Sequence, residues 1–416
     1  MIVSGEGTRV TDDTGVDYLD AHGGAWLCQI GHGRREVADA VADQMLQLEH
    51  FGVGGPHANP RAIELAERIV RLGPRGASKV TFLSSGSEAV DEAVRLAREY
   101  HHRLGHRERH WVLSLQGGYH GRTLAGTALA GAGDDCGWGP VLPGFAQVPA
   151  PVRRFGGPAT EAELVAHALT GLRRTVERIG PDRVAALFVE PVMGPAGMIP
   201  LPAAYWTGVR EILAEHGILL VADEVVTGFG RTGHWFGSHL ADLSPDLTVM
   251  AKGIASGYLP LAAILFGERT AAVLADADTG GSYGGHTAAC AAGCASVDII
   301  EREDLVGNAA RVGARLLDRL GRLRELPVVG DVHGAGLMIG VELVADAETF
   351  APPRVSPAAV VDVLRAQHRI IAGGAGNSVA ITPPLTLSAE EADTVADALY
   401  DVLARVGPDG SIEGVK

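Results

Sequence analysis

Up to about residue 286, short apolar runs alternate with longer amphipathic stretches. The runs are continuous rather than alternating, which is typical of strands that are buried on both faces of a sheet. They begin at Lys79, Trp111, Val184, Ile218 and Leu247. Stretches such as 89–100 and 203–216 have the apolar spacing of helices. This alternation predicts βαβ units and an α/β domain with a mostly parallel mixed sheet.

The pattern changes after residue 286. Segments rich in Ala, Leu and Arg predict three helices, and apolar positions near residue 335 predict a strand, a turn and a second strand. The helices are expected at 288–301, 308–323 and 389–405, and the strand pair at 328–344. These elements predict a smaller α+β domain. A hairpin at 8–20 is expected to pack on it, whereas the Pro- and Gly-rich residues 131–158 predict a surface loop.

The predicted organisation has three parts. Residues 1–45 form an N-terminal segment that packs on the small domain, residues 46–286 form the large domain, and residues 287–416 form the C-terminal small domain. The chain has 416 residues, of which 46% are hydrophobic. This is enough for one large core and a smaller second core.

The composition restricts the classes of partner. The formal net charge is −15, so the chain is expected to repel nucleic acid and anionic membrane surfaces. No apolar run has the length of a membrane span, and the first residues lack the basic start and apolar core of a signal peptide. The expected partners are therefore small molecules, with no nucleic acid and no membrane.

The cysteines indicate the redox setting. Cys28, Cys136, Cys290 and Cys294 form no CxxC pair. Cys290 and Cys294 lie four residues apart in a stretch of Ala and Gly, which predicts small buried side chains in a helix. This usage fits a reduced, cytoplasmic setting. The sequence has no HExxH pattern, Walker-type lysine loop or Cys/His cluster, so no metal site is expected.

Two successive predicted strands end in residues of opposite charge, Asp223 and Lys252. In an α/β sheet, ligands bind at the carboxyl ends of the strands. A lysine amine can form an imine with an aldehyde, and a carboxylate can keep a ring nitrogen protonated. Together the two residues predict a site for pyridoxal phosphate. Taken singly, Asp223 is also interpretable as a turn cap and Lys252 as a solvated loop residue.

Residues 83–88 follow a predicted strand and open a predicted helix. Ser85 and Glu88 have the spacing of a capping box. Gly86 allows a ligand to approach the backbone, and Ser87 with the free amides of the first helical turn favours an anion such as phosphate. By itself, this sequence is more often ordinary helix capping.

Three further residues lie after strand-like runs. Tyr119 and His120 follow the run at Trp111, where Tyr119 is able to stack on a planar ring; the alternative is a loop that packs on the surface. Glu190 ends the run at Val184, and its alternative interpretation is a hydrogen-bonded turn residue.

Together these segments resemble the class III pyridoxal-phosphate-dependent aminotransferases, in particular their ω-transaminase branch. Two of the matching sequences are Ala222-Asp-Glu-Val-Val-Thr-Gly-Phe-Gly-Arg-Thr-Gly and Ala251-Lys-Gly-Ile-Ala-Ser-Gly-Tyr-Leu-Pro. Others surround Ser85, Tyr119, Glu190 and Ser282, in the same order and at similar spacing from about Gly5 to Leu403. The resemblance implies the fold type I architecture, pyridoxal 5′-phosphate as cofactor, and a homodimer with its active sites at the subunit interface.

The resemblance also implies a role for each residue around the cofactor ring. Lys252 is implied to bind the cofactor aldehyde and to shuttle the proton, and Asp223 to pair with the pyridine nitrogen. Val225 and Tyr119 are implied to cover the two faces of the ring. These residues correspond to positions of this sequence that match the family's patterns.

The remaining cofactor residues follow from the same resemblance. Gly86 and Ser87 are implied to hold the phosphate, and His120 and Glu190 to lie in the cofactor site. Ser282, where the family usually has Thr, is implied to reach the phosphate of the neighbouring subunit. Ser keeps the hydroxyl group of Thr, so we expect little loss of phosphate binding.

Several positions bear on the choice of substrate. Relatives that act on α-amino acids often carry a carboxylate-binding Arg where this chain has Ala380, and a gatekeeper Glu where it has Pro195. A mobile Arg of the ω-transaminase branch corresponds to Gly373. Trp26 matches a pocket-lining Trp of that branch, and Arg122 matches an Arg that binds a distal carboxylate in some relatives. Trp26 and Arg122 are therefore the predicted substrate residues.

The predicted function is transfer of an amino group from a primary, terminal amine to a keto acid, or from an amino acid to an aldehyde or ketone, by a ping-pong mechanism. A same-fold aminomutase, epimerase or decarboxylase is an alternative, because it needs the same cofactor residues. A non-catalytic nucleotide-binding protein is a third hypothesis. It is weak, because the glycines at 334–340 lack the helix and acidic partner of a dinucleotide loop.

Overall fold

The computed structural model describes residues 1–53, 57–131, 140–153 and 160–414. The strands are β1 (Ile2–Glu6), β2 (Arg9–Asp12), β3 (Asp17–Asp20), β4 (Ala77–Leu83), β5 (Trp111–Leu115), β6 (Phe145–Val148), β7 (Val184–Val189), β8 (Val192–Met193), β9 (Ile199–Pro200), β10 (Leu219–Asp223), β11 (Leu247–Met250), β12 (Ala262–Gly267), β13 (Val329–Ala335), β14 (Met338–Leu343), β15 (Ile370–Ile371), β16 (Gly373–Ala375) and β17 (Ser378–Ile381). The helices are the single left-handed turn α1 (Gly23–Trp26), α2 (Arg35–Gln47), α3 (Pro60–Leu72), α4 (Gly86–Arg103), α5 (Leu124–Leu129), α6 (Glu161–Ile179), α7 (Ala203–His216), α8 (Glu268–Val273), α9 (Thr287–Arg302), α10 (Leu305–Leu320), α11 (Pro357–Val363) and α12 (Ala389–Leu403).

Seven strands form the central sheet, in the order β4-β12-β11-β10-β7-β5-β6. β10 is parallel to β11 and β7, and β5 is parallel to β7 and β6. β12 is antiparallel to both of its neighbours, β11 and β4. The sheet is therefore mixed and mostly parallel, which confirms the fold class that the sequence predicts.

Helices cover both faces of the central sheet, and this explains the continuous apolar runs. In β7, Phe188 packs in the cluster that contains Val94 of α4. The next residues on either side of Phe188 point the other way, and Leu187 packs in a second cluster with Leu172 of α6 and Val209 of α7. Because both faces of the strand are buried, both sets of side chains must be apolar.

Two smaller sheets tie the ends of the chain together. β13, β14, β17 and β16 form one antiparallel sheet, and β1, β2, β3 and β15 form the other. In the second sheet Leu19 of β3 pairs in parallel with Ile370 of β15. The predicted hairpin at 8–20 is present as β2 and β3. One apolar cluster contains Val37, Leu65 and Leu399 together, so it crosses the predicted domain limits. Those limits stay a prediction.

Two strands of the central sheet were not predicted. β6 lies within 131–158, where the sequence predicts a loop, but it pairs with β5 at the edge of the sheet. β6 has only four residues and pairs on one side only. Because Pro and Gly surround it in the sequence, the pattern there resembles a loop. Residues 132–139 and 154–158 of that predicted loop lie outside the described residues. β12 is a buried apolar run that the sequence analysis also missed.

None of the described helices combines the length and the apolarity that crossing a membrane requires. Across the same residues, His, Cys, Asp and Glu side chains form no group of three that is suited to a metal ion.

Candidate active site

The carboxyl ends of β4, β5, β7, β10 and β11 meet at one edge of the central sheet and surround a cavity of about 410 Å³. This is the edge at which α/β sheets bind ligands. The residues predicted around the cofactor that line the cavity are Gly86, Ser87, Tyr119, His120, Glu190, Asp223, Val225 and Lys252. The fold therefore brings together segments that are far apart in the sequence.

Lys252 is the lysine of the cavity. The chain has three lysines. Lys79 is turned away and donates to the carbonyl groups of Leu274 and Ala275, and Lys416 lies outside the described residues. Among the described residues, Lys252 is therefore the amine that can meet an aldehyde in this cavity.

Burial lowers the pKa of Lys252, although the charges of Asp223 and Glu190 oppose this effect. A lower pKa leaves more of the amine uncharged near neutral pH. Imine formation requires the uncharged amine, so the surroundings favour the chemistry predicted for this residue.

The backbone of Lys252 is held in an unfavourable conformation. Its φ is 45°, in the left-handed region, which costs about 1–2 kcal/mol for a residue with a Cβ. The next residue, Gly253, has no room for a side chain, because an added Cβ would lie 2.2 Å from Nε2 of Gln29. Gln29 is itself anchored, since its carbonyl accepts a 2.8 Å hydrogen bond from the amide of Leu385. The N-terminal segment thus packs directly on the turn that carries Lys252.

Asp223 is held by two hydrogen bonds. Its Oδ2 lies 2.8 Å from Nδ1 of His120, and its Oδ1 accepts from the amide of Val225 at 3.1 Å. Burial opposes a charge on His120, but the hydrogen bond and charge of Asp223 outweigh it, so the pKa of His120 is raised. His120 thereby orients the Asp223 carboxyl group at the edge of the cavity.

Glu190 is the second buried carboxyl group of the cavity. Its Oε1 accepts from the amide of Tyr119 at 3.0 Å, and its Oε2 from the amide of Gly194 at 3.0 Å. Burial raises the pKa of Glu190 to about 7, although the charge of His120 opposes this. Glu190 links the loop after β5 to the loop after β7.

The N-terminus of α4 opens onto the cavity. The hydroxyl of Ser85 accepts from the amide of Glu88 at 3.2 Å, as the capping spacing predicts. The return bond differs, because the Glu88 carboxylate accepts from Ser84 at 2.8 Å and not from Ser85. An added Cβ on Gly86 would lie 3.2 Å from the methyl groups of Val225. A side chain at this position would therefore crowd Val225, and with Gly86 the first turn of the helix borders the cavity, where its free amides favour an anion.

The other three predicted residues do not line the cavity. The Trp26 ring lies at its side, with its centroid 5.1 Å from Lys252 Nζ. The Arg122 side chain is exposed, and its backbone amide donates to the hydroxyl of Ser87 at 3.1 Å. Ser282 is exposed on another part of the surface, where its carbonyl bonds to His50.

The sequence analysis missed part of the cavity wall. The lining residues that it did not select include Leu27, Val192, Val226, Thr227 and Leu261. Apolar residues next to strand ends have the same pattern as ordinary core residues, so no local signal marks them. Val226 and Thr227 directly follow Val225 in a segment that resembles the family, and this was the one indication that the sequence offered.

The fold and the cavity define a class of protein. A lysine amine, a buried carboxylate braced by a histidine, and a helix N-terminus freed by glycine surround one space of suitable size. They fit the aldehyde, the ring nitrogen and the phosphate of pyridoxal phosphate, respectively. This is the arrangement of a fold type I pyridoxal-phosphate enzyme.

Comparison with known proteins gives the family. The model of the aminotransferase class-III family matches residues 1–403. The diaminobutyrate–2-oxoglutarate transaminase of Halomonas elongata is 36% identical over 442 aligned positions, covering 98% of this chain and 92% of the relative. The putrescine–pyruvate aminotransferase of Pseudomonas aeruginosa is 34% identical, covering 94% and 88%.

A solved structure agrees with these relatives. The amine transaminase from an uncultivated Pseudomonas species, in its PLP-bound form, superposes with a TM-score of 0.92 and 40% identity, covering 98% of this chain and 95% of the other. The chain belongs to the class III aminotransferases and is a pyridoxal-phosphate-dependent aminotransferase. The family resemblance seen in the sequence is thereby confirmed.

Labelling with borohydride tests the assignment of Lys252. The protein is loaded with pyridoxal phosphate, reduced and digested, and the modified peptide is identified by mass spectrometry. We expect the label on Lys252 and not on Lys79, because only the former faces the cavity. Lys252→Ala should lose the label and the transaminase activity but keep the fold by circular dichroism. A wild-type rate in Lys252→Ala would contradict the assignment.

Proposed function

We propose that this aminotransferase takes the amino group of a primary amine that carries no α-carboxylate and passes it to a keto acid. The main support is the apolar surrounding of Ala380, where α-amino-acid enzymes carry an Arg. Ala380 is fully buried. It packs in a cluster with Val192, Met198, Val226, Met338 and Ala375, and Trp26 packs against this cluster. A carboxylate placed there would lose its hydration without gaining a cation, at a cost of several kcal/mol.

The position of Gly373 supports the same proposal. An added Cβ on Gly373 would lie 2.5 Å from Nδ1 of His22, so a mobile Arg has no room at this position. Burial lowers the pKa of His22, which leaves that ring uncharged near neutral pH. We propose that Arg122 supplies the cation for the acceptor's carboxylate instead, since it is exposed next to Gly121, which lines the cavity.

Bound pyridoxal phosphate supplies an aldehyde that takes up the amino group and a ring that withdraws electrons when a C–H bond breaks. Around it, we propose that Lys252 Nζ moves the proton of the substrate carbon. Asp223, with His120 behind it, holds the proton of the ring nitrogen. Val225 and Tyr119 orient the ring, and Gly86 and Ser87 at the N-terminus of α4 bind the phosphate.

The donors named for two relatives are compatible with this proposal, whereas diaminobutyrate, named for the Halomonas elongata relative, carries an α-carboxylate. Putrescine, the donor of the Pseudomonas aeruginosa relative, is an amine without a carboxylate, and its acceptor is pyruvate. A taurine–pyruvate aminotransferase of Bilophila wadsworthia, 37% identical over 85% of this chain, also has a donor without an α-carboxylate. For this chain we propose a keto acid acceptor of the same class.

We further propose a homodimer in which Ser282 completes the phosphate site of the neighbouring subunit. Four large apolar side chains near Ser282 are about half exposed or more: Phe51 47%, Val53 45%, Ile63 51% and Tyr283 64%. They surround one segment of the chain: the His50 ring lies 5.7 Å from that of Tyr283, Asn59 donates to the carbonyls of Phe51 and Gly285, and Val53 and Ile63 line one cavity with Gly281. An apolar patch of this kind fits a protein interface.

The cysteines support a proposed cytoplasmic location. Cys28, Cys290 and Cys294 are buried free thiols, while Cys136 lies outside the described residues. Burial raises the pKa of Cys290 and Cys294, which keeps these thiols protonated. Free thiols are typical of proteins in reducing compartments.

The carboxylate preference is tested with matched donors. With pyruvate as acceptor, kcat/KM is measured for n-butylamine and for norvaline, which is n-butylamine with a carboxylate on the amino carbon. The value for n-butylamine should be higher by about a hundredfold or more, because the carboxylate has no cation near Ala380. The double variant Pro195→Glu/Ala380→Arg should narrow this ratio. Turnover restricted to α-amino acids would contradict the proposal.

The role of Asp223 is tested by separating binding from proton transfer. Asp223→Ala should slow the step that breaks the substrate C–H bond by about a hundredfold or more, while cofactor affinity falls far less. The measurement is single-turnover kinetics with a deuterated amine, together with a cofactor titration. His120→Gln, which keeps the carboxylate, should have a smaller effect. Strong loss of binding with unchanged proton transfer would make Asp223 a structural residue only.

The proposed interface is tested by charge insertion. Tyr283→Asp should shift the protein toward monomers in sedimentation velocity, because it buries an unpaired charge at the interface. Leu240→Asp is a matched control, since Leu240 is also exposed, at 39%, but in the segment Gly237–Ala241, far along the chain from the patch. A wild-type dimer in Tyr283→Asp would argue against this surface.

A further inference from the structure

The turn that carries Trp26 is left-handed. Gly23, Gly24, Ala25 and Trp26 have φ angles of 56°, 55°, 73° and 70°. The amides of Trp26 and Leu27 close the turn by donating to the carbonyls of His22 and Gly23. Glycine adopts this conformation freely, whereas Ala25 and Trp26 are disfavoured in it by their Cβ atoms. The turn therefore needs support from outside its own sequence.

Asp20 provides this support. Its Oδ1 accepts hydrogen bonds from the amides of His22 at 2.9 Å and Gly23 at 2.8 Å, and its Oδ2 accepts from the amide of Gly24 at 3.0 Å. The Asp20 residue is 3% exposed, so water does not compete for these bonds. One carboxylate thus fixes three successive amides at the point where the chain becomes left-handed.

Asp20 is itself held in place by His32. Nε2 of His32 lies 2.9 Å from Asp20 Oδ2. The hydrogen bond to Asp20 raises the pKa of His32 to about 10, so the pair is ionic near neutral pH. His32 packs against β1, because an added Cβ on Gly5 would lie 2.9 Å from His32 Cβ. The carboxylate is therefore fixed relative to the N-terminal sheet.

The turn places the Trp26 indole between two parts of the active site. Its ring centroid lies 5.1 Å from Lys252 Nζ, and its Cζ3 would lie 3.5 Å from a Cβ added to Gly194. The amide of Gly194 donates to Glu190, which lines the cavity. The turn cannot shift inward, because a Cβ on Gly23 would lie 2.4 Å from the carbonyl oxygen of Thr382.

We propose that Asp20 is a positioning residue for the amine site: by holding the left-handed turn, its carboxylate fixes the Trp26 indole beside Lys252 and so limits the size of the amine substituent that fits there. This inference rests on the proposed function and on the prediction that Trp26, whose ring lies beside Lys252, borders the space for the amine. Asp20 touches neither the cofactor site nor the reacting atoms, and it acts through the backbone of the turn.

The experiment compares Asp20→Asn with a matched control, Asp12→Asn. Asp12 also accepts hydrogen bonds from two backbone amides, those of Thr14 and Val16, but in the exposed hairpin turn. With pyruvate as acceptor, kcat/KM is measured for n-propylamine and for 1-phenylethylamine. Asp20→Asn should shift the ratio of the two values about tenfold in favour of 1-phenylethylamine, equivalent to about 1.4 kcal/mol. The main cause should be a lower KM for this larger amine, because the indole is no longer fixed. Asp12→Asn should leave the ratio unchanged.

Hydrogen exchange of the cofactor-free protein gives a readout that does not depend on activity. The amides of His22, Gly23 and Gly24 should exchange faster in Asp20→Asn than in wild type, with no such change in Asp12→Asn. The second variant Asp20→Asn/Ala25→Gly should recover most of the wild-type amine ratio, because glycine adopts the left-handed conformation without the support of Asp20. A role for Asp20 in general stability alone would not produce this recovery.

The outcomes separate this inference from the proposed function. If wild type transaminates the amines but Asp20→Asn keeps the wild-type ratio and exchange pattern, the positioning role is overturned. It is also overturned if Ala25→Gly gives no recovery. If Asp20→Asn does not fold, His32→Gln, which loosens the carboxylate without removing it, must change the ratio in the same direction. If wild type transaminates no amine, the proposed function fails, whatever the exchange shows.

Discussion

The parallel pairing of β10 with β11 is the constraint on which the rest of the site depends. In this pairing Asp223 lies opposite Val249, three residues before Lys252. The carboxylate and the amine therefore leave adjacent strands at the same edge of the sheet. A shift of the register by one residue would turn Asp223 to the other face and separate the two groups. The cavity, the helix N-terminus at α4 and the loops after β5 and β7 all converge on this edge.

At the end of β10, two consecutive acidic residues point in opposite directions and have different partners. Asp223 faces the cavity and is braced by His120. The next residue, Glu224, is fully buried and faces away, where it accepts hydrogen bonds from Thr227, from the amide of Gly237, and from the amide and hydroxyl of Ser238. With its oxygens satisfied, Glu224 fixes the loop after β10. Asp223 therefore lines the cavity, and Glu224 fixes the backbone that follows it.

The residues with chemical roles could be predicted from the sequence more fully than the strands and loops that surround them. Residues such as Lys252 and Asp223 have a required residue type and follow recognisable strands, so their convergence could be inferred. β12 was missed although its apolar run is of the same kind as those of the predicted strands, and β6 is a short edge strand in a Pro- and Gly-rich stretch.

The conformation of the backbone around Trp26 could not be predicted from the sequence either. Trp26 was recognised through the family, but its left-handed turn was not. Its conformation depends on the carboxylate of Asp20 and on packing against Thr382, a residue near the other end of the chain. Local propensity favours right-handed backbone for Ala25 and Trp26, and tertiary contacts override it.

The closure of the N-terminal sheet sets the order in which the enzyme is completed during synthesis. β3 pairs with β15, and Gln29 covers the turn of Lys252 while bonding to Leu385. Residues 1–30 leave the ribosome long before their partners, Ile370 of β15 and Leu385. The N-terminal segment therefore lacks these contacts until the C-terminal part has been made, and only then can the anchored Gln29 cover the turn of Lys252.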